Sequence, residues 1–383
     1  MTASSPPLSR RAWFKAAGTT LAGIALASRV KLHAQTPSHS PDAGVPPIVE
    51  GVRAHLNLNE NPNGPSALAL EAIQAQLKRP GRYPGVETKA LLDLISKREG
   101  YPIANLILGV GSGQILETLG AHYGSLKGEV LYADPGFPLL AHAAQFAGGT
   151  AVTVPVNDKL ETDLPGFTAK FSPNTRLVYL ANPHNPTGTV VDPAALRDFI
   201  AATPRQIVIV VDEAYLDLSD DFHGRTTAAL VKTTPNLVVL RTFSKVFGLA
   251  GLRVGYAVAN PDVIAILRGL GVGGLTPNLF GVSAAAASLR DHGYIAKTKQ
   301  TIVSERDKFT AILDELGHPY AKPQGNFVFF KNSKPYQEVY DGFLAEGVAI
   351  ARPFPPLVEW ARISVGTPEE NELARSALRK IYS

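Results

Sequence analysis

The 383-residue sequence contains no cysteine, so no disulfide framework braces it, and the absence is compatible with an oxidising compartment. Charged residues make up only 18% of the chain against 45% hydrophobic, which excludes an intrinsically disordered protein and fits a soluble globular one. No internal repeat is evident. Apolar runs long enough to cross a bilayer are also missing: the stretch from Ala16 to Ala27 is too short for a comfortable span. Acidic residues are absent from positions 1–34, where five basic ones lie (Arg10, Arg11, Lys15, Arg29, Lys31). Setting those five aside leaves 32 basic and 33 acidic residues, a net charge of −1. The formal charge of +4 and the pI of about 9.1 therefore belong to the leader, and nothing in the body calls for a nucleic-acid partner.

The leader has an order of its own. Ser9-Arg10-Arg11-Ala12-Trp13-Phe14-Lys15 precedes the mild Ala-, Gly- and Thr-rich stretch, and Leu32-His33-Ala34 offers a small residue at a plausible cleavage point. Paired arginines before a short, weakly hydrophobic core resemble a twin-arginine export signal over residues 1–34. The expected location is the periplasm, reached in the folded state, with membrane contact only through the export machinery. A cytoplasmic location follows if the leader is not used. Residues 35–52, with Pro37, Pro41, Pro46 and Pro47, read as a linker.

Downstream, apolar runs of strand length alternate with helical patterns. Leu106–Val110, Val130–Ala133, Ala151–Val154, Leu177–Ala181, Ile207–Val211, Leu237–Leu240 and Arg253–Val258 are candidate strands. Gly113–Tyr123, Leu139–Phe146 and Pro193–Ala201 are among the helices between them. This alternation implies an α/β fold, a mainly parallel sheet with helices on both faces, whose ligands gather at the carboxyl ends of the strands. The division expected is an N-terminal arm over 53–80, a large domain over 81–262, and a smaller α+β domain over 263–383.

The chemistry-bearing motifs fall at those strand ends. Gly109-Val110-Gly111-Ser112-Gly113-Gln114 follows one strand and opens a helix, where amides can face an anion; alone it is equally a structural turn, and it lacks the glycine spacing of a nicotinamide site. Asp134-Pro135-Gly136-Phe137 ends the next strand, and Phe137 either stacks on a ring or fills the core. Asn182-Pro183-His184-Asn185-Pro186-Thr187-Gly188 is a stiff polar turn able to present Asn185 as a donor; His184 is expected to serve structure. Asp212 ends a fully apolar strand, which is costly unless a cation or a protonated ring nitrogen faces it, and Tyr215 lies within reach of the same ligand. Thr242-Phe243-Ser244-Lys245 then places one amine at a strand end beside small hydroxyls, with Arg253 eight residues on. An amine that condenses with an aldehyde, beside a hydroxyl and a guanidinium that grip a phosphate, is what a pyridoxal-phosphate enzyme needs.

Together with Leu56-Asn57-Leu58-Asn59-Glu60-Asn61-Pro62, Arg82-Tyr83-Pro84, Ala250-Gly251-Leu252-Arg253 and Arg362-Ile363-Ser364-Val365-Gly366-Thr367, these motifs resemble fold-type I pyridoxal-phosphate aminotransferases over about 330 residues, closest to the histidinol-phosphate aminotransferase branch. The resemblance implies a three-layer αβα large domain with a seven-stranded sheet and a homodimer. It implies Lys245 as the residue that condenses with the cofactor and carries the proton, Asp212 on the ring nitrogen, and Asn185 and Tyr215 on the ring oxygen. Phe137 would lie on the ring face, where many relatives carry tyrosine. Ser112, Gly113, Gln114, Ser244 and Arg253 would hold the phosphate, joined by Tyr83 from the neighbouring subunit. For substrate it points to Arg362, with Arg352, Asn326 and Asn61 near it; no metal site is implied.

The activity expected is transfer of an amino group between an amino donor and a 2-oxo acid such as 2-oxoglutarate. A decarboxylase or lyase on the same scaffold is the alternative, as is a cytoplasmic histidinol-phosphate aminotransferase if the leader is unused. A non-catalytic exported binding protein is disfavoured by the intact Lys245, Asp212 and Arg253.

Overall fold

The computed structural model of the chain describes residues 50–383; the expected export leader and almost all of the linker lie outside the described residues. Eleven strands are found among these residues: β1 (Ala54–Leu56), β2 (Leu106–Val110), β3 (Glu129–Asp134), β4 (Thr150–Pro155), β5 (Thr175–Ala181), β6 (Val208–Asp212), β7 (Leu237–Thr242), β8 (Val254–Ala259), β9 (Phe327–Lys331), β10 (Val348–Ile350) and β11 (Trp360–Ser364). Seven of them form one sheet in the order β2-β8-β7-β6-β5-β3-β4. Strands β6, β7 and β8 are buried at every position, as sheet covered on both faces requires. Alternate residues feed two separate cores: Ile209 and Val211 belong to one cluster, Val208 and Val210 to the other.

Only β8 runs against its neighbours, pairing antiparallel with both β2 and β7. That reversal matters for the site. The carboxyl ends of the parallel strands share one edge of the sheet, and β8 brings its amino end to the same edge. Register places Val110 opposite Val254 and Thr242 opposite Gly255, so Arg253 lies against the turn that follows β2.

The helices begin where their capping chemistry dictates. Asp192 accepts from the amides of Ala194 and Ala195 ahead of Pro193–Ala202, and Asn278 accepts from Gly281 ahead of Leu279–Ser288. Thr367 and Glu370 form a reciprocal capping box at the start of Pro368–Tyr382. No helix among the described residues is long and apolar enough to cross a membrane.

A third core unites Phe309, Val328, Phe330, Phe343, Ile363 and Leu378 with Ala54 and Leu56. Core packing crosses the division expected at residue 262 in two ways. Val263, Ile264 and Leu267 pack into one large-domain core, and Val282 and Ala285 into the other, so the chain leaves the large domain well after residue 262. The arm, conversely, is not separate: β1 pairs in parallel with β10 and belongs to the small domain's core. Beyond it, Ala69 joins the large-domain core.

The loop after Lys245 is held against this arm. Gly248 has φ of +70°, and a Cβ there would lie 1.9 Å from the Gly64 carbonyl oxygen. Both the left-handed backbone and the close approach demand glycine. Gly248→Ala is expected to lower stability by about 2–3 kcal/mol, read as a lower denaturant midpoint with an unchanged slope.

Candidate active site

The sheet edge collects the expected residues. Asp212 closes β6, and its carboxylate is buried beneath Tyr179, whose hydroxyl donates to Oδ2 at 3.1 Å, while the Ala214 amide donates to Oδ1 at 3.1 Å. Burial pushes this acid up to about 6 despite those two donors; Glu213 adds to the shift and Lys245 opposes it. Tyr179 lies on the same face because it pairs with Val210, two residues before Asp212. Its hydroxyl is raised well above the usual range by burial and then by Asp212.

Lys245 follows β7. Its Nζ donates to the Asn59 carbonyl at 2.8 Å and stands 5.2 Å from the centre of the Tyr215 ring. The Thr242 hydroxyl donates to Ser244 Oγ at 2.9 Å, which leaves the Ser244 hydrogen available to a further acceptor. Opposite, Gly111 (φ +69°) brings the turn so close to Arg253 that a Cβ would lie 2.5 Å from its Nη2. A Cβ on Gly255 would come within 2.3 Å of the Ser112 amide nitrogen. Amides at the start of the helix Gly111–Ser125, a hydroxyl and a guanidinium thus meet in a cradle suited to a phosphate.

The other wall comes from the small domain and the arm. Arg362 on β11 is buried, donates through Nη1 to Asn185 Oδ1 and through Nη2 to the Asn57 carbonyl at 3.0 Å, and leaves Nε without a protein partner. Burial lowers its pKa to about 10, with Arg352 acting the same way and Tyr215 opposing. Its guanidinium lies 5.3 Å from the centre of the Phe327 ring and 4.9 Å from that of Phe354. Arg352 covers the same Phe354 ring at 4.9 Å and donates to the Pro353 carbonyl at 2.8 Å. Two cations share one aromatic ring, an arrangement that favours an anionic group between or beside them.

Three of the other expected ligands also have contacts within the protein. Asn61 donates to the Val246 carbonyl at 2.9 Å and accepts from the Asn63 amide at 3.0 Å, so its side chain fastens the arm to the lysine loop. Gln114 accepts from the Val110 amide at 2.8 Å and closes the turn it sits in. Asn326 is fully buried and donates to the Glu60 carbonyl at 2.9 Å, while its Oδ1 has no protein partner. Phe137 is part-exposed and Tyr83 is 79% exposed, so neither is packed into this chain's core. At His184, Thr189 donates to the Leu160 carbonyl, hence Thr187 donates to Thr189 and accepts from His184 Nδ1; burial lowers the imidazole to about 4, and Nε2 has no protein partner.

Asn59 and Tyr179 were not singled out from sequence. Tyr179 carried a signal, a polar aromatic residue on an otherwise apolar strand, two positions from the strand's end. Asn59 stands in the same motif as Asn61, and nothing in the local sequence ranks one above the other.

Such a strand-edge site on a doubly covered sheet, with a lysine, a buried acid, a phosphate cradle and Arg362 from the small domain, has the make-up of a pyridoxal-phosphate enzyme. Residues 54–378 match the family model for aminotransferase class I and II, and the chain belongs to that family. It is 36% identical over 337 residues to a histidinol-phosphate aminotransferase of Moorella thermoacetica, covering 87% of each chain. Its fold matches a histidinol-phosphate aminotransferase of Sinorhizobium meliloti solved with pyridoxal 5'-phosphate, with a TM-score of 0.78 at 26% identity, over 91% of this chain and 98% of that one. The scaffold is shared with an L-threonine-O-3-phosphate decarboxylase of Porphyromonas gingivalis, with a TM-score of 0.72 at 20% identity, over 85% of this chain and 98% of that one. The protein is a pyridoxal-phosphate-dependent aminotransferase of the histidinol-phosphate aminotransferase-like kind. The residues present fit that cofactor: a buried carboxylate that lacks a cationic partner faces the site, and the glycine-lined cradle with Arg253 suits a phosphate ester.

The sign of the Asp212 shift yields a test without cofactor. An acid raised from an ordinary 3.8 to about 6 favours the folded state when protonated, so its contribution is present below the ordinary value and lost as pH rises through 6. In the apoprotein, Asp212→Asn is expected to be more stable than wild type at pH 7.5 by about 2 kcal/mol, with the gap closing as pH falls towards 4. Urea denaturation at several pH values checks this.

Proposed function

We propose that the enzyme transfers an amino group in two half-reactions, from an amino donor to the cofactor and then to a 2-oxo acid such as 2-oxoglutarate. The observation that carries the reading is the convergence of Lys245, Asp212, Tyr215 and Arg253 at one sheet edge, facing Arg362 from the small domain. Pyridoxal phosphate supplies the electron sink. Asp212 would keep the ring nitrogen protonated, and that cation would offset the cost of its burial. Ser112, Gly113, Ser244 and Arg253 would hold the phosphate, Phe137 would cover the ring face, and Asn185 and Tyr215 would donate to the ring oxygen. Lys245 would condense with the aldehyde and, once released, carry the substrate's α-proton. Arg362 would take the substrate's anionic group, exchanging its contact with Asn185 for it, with Arg352 beside it.

The second subunit belongs to the same reading. Leu77, Tyr83 and Val86, near one another in sequence, are 61%, 79% and 78% exposed, and such exposure of apolar side chains suits burial against a partner. A homodimer in which Tyr83 reaches the neighbouring phosphate accounts for it. The leader, carrying paired arginines, supports export of the folded enzyme to the periplasm, where it would act on an amino donor met outside the cytoplasm.

Mixing the holoenzyme with a panel of amino acids is expected to convert the cofactor's absorbance to that of the amine form, with 2-oxoglutarate restoring it. Carbon dioxide release without need of a 2-oxo acid would overturn transamination in favour of decarboxylation. Borohydride is expected to trap the cofactor on Lys245, and Lys245→Ala to abolish both the adduct and more than about a thousandfold of kcat. Arg362→Ala is expected to lower kcat/KM about a hundredfold or more, chiefly for anionic substrates. Cell fractionation checks location: processed protein in the periplasm is expected, and unprocessed cytoplasmic protein would make histidinol phosphate the favoured substrate.

A further inference from the structure

Asn59 is buried and adopts φ of 55°, a left-handed conformation in which asparagine is tolerated better than most residues. Every polar group it has is engaged. Its amide N–H donates to Ser364 Oγ at 2.9 Å, and the Ser364 hydroxyl donates back to Oδ1 at 2.9 Å. Its Nδ2 donates to the Tyr215 hydroxyl oxygen at 3.1 Å, and its carbonyl accepts from Lys245 Nζ at 2.8 Å. One residue of the arm therefore touches the small domain through Ser364 on β11 and two site residues of the large domain.

The direction of these bonds has a chemical consequence. A tyrosine hydroxyl carries one hydrogen, and Asn59 donates to its oxygen, so that hydrogen is left to point at another acceptor. With the amide turned round, Ser364 would lose the acceptor for its hydrogen and Tyr215 would surrender its own to Asn59. The doubly bonded Ser364 favours the first arrangement. We propose that Asn59 is a positioning residue that holds Tyr215 as a hydrogen-bond donor towards the cofactor's ring oxygen, and that Ser364 ties this orientation to the seating of the small domain. The inference rests on the reading of Tyr215 given above.

The experiment uses reconstituted holoenzyme and follows the pH midpoint of its visible absorbance transition, together with cofactor affinity measured on the apoprotein. Donors to the ring oxygen stabilise its anionic form and hold the midpoint down. Tyr215→Phe is therefore expected to raise it. Asn59→Gly, which suits the positive φ, is expected to raise it by about half a unit, and Asn59→Asp by about one unit, since an acceptor there claims the Tyr215 hydrogen. In the Y215F background, N59G is expected to add nothing. Ser364→Ala, which leaves Asn59 in place, is expected to move the midpoint in the same direction by less and keeps the test available if the Asn59 variants fold poorly. A shift from N59G that persists with Y215F, or an unmoved midpoint in N59G, N59D and S364A while Y215F moves it, would overturn the role of Asn59 alone. An unmoved midpoint in Y215F would overturn the reading of Tyr215 as well.

Discussion

A carboxylate at the end of a strand that is buried along its whole length is an expense the fold must offset, and much of this molecule is arranged about that single group. Asp212 receives one hydrogen bond from Tyr179 and one from its own turn, which is too little to hold a buried charge at its ordinary pKa. Its neighbour Glu213 is treated differently. It points to the opposite layer, pairs with Arg241 at 2.9 Å and accepts from the amide and hydroxyl of Thr227. Burial raises both acids, but Glu213 has an arginine and a threonine facing it, whereas Asp212 has no ion pair within the described residues.

Complementary charge is supplied around the rest of the site. Arg253 sits on the reversed strand, whose direction brings its amino end to the edge where the parallel strands finish. Arg362 comes from the small domain and rests on Phe327 and Phe354, apolar supports that hold the guanidinium without neutralising it. Asp212 and Arg253 thus stand on the large domain and Arg362 on the small one, and the arm touches both, Asn57 at Arg362 and Asn59 at Tyr215.

The strands of the large domain were legible because their apolar runs are short, β-branched and separated by well-capped helices; β5 and β7 differ from expectation only by a residue or two at their ends. Lys245, Asp212 and Arg253 were legible because charged residues at the ends of such runs are chemically conspicuous. The small domain's true extent was not, since no local pattern announces that Ala54 and Leu56 will pack on Phe309 and Ile363. Asparagines were hardest to rank. Asn59 and Asn61 stand two residues apart in one motif, and only tertiary contacts decide that the first faces Tyr215 while the second ties down a loop. The reversed sense of β8 likewise follows a connection over 243–253 in which Gly248 and Arg253 both take left-handed conformations.

The parallel pairing of β1 with β10 also orders events during synthesis. Ala54 lies beside Val348, so the first described strand has no place to settle until almost the entire remaining chain has left the ribosome. Its partner is among the last strands made, and with it come Ser364 and Arg362. The large sheet can assemble earlier, but the wall that Asn57 and Asn59 contribute is completed only when both ends of the protein are available. A nascent chain therefore lacks that wall until β10 and β11 have emerged.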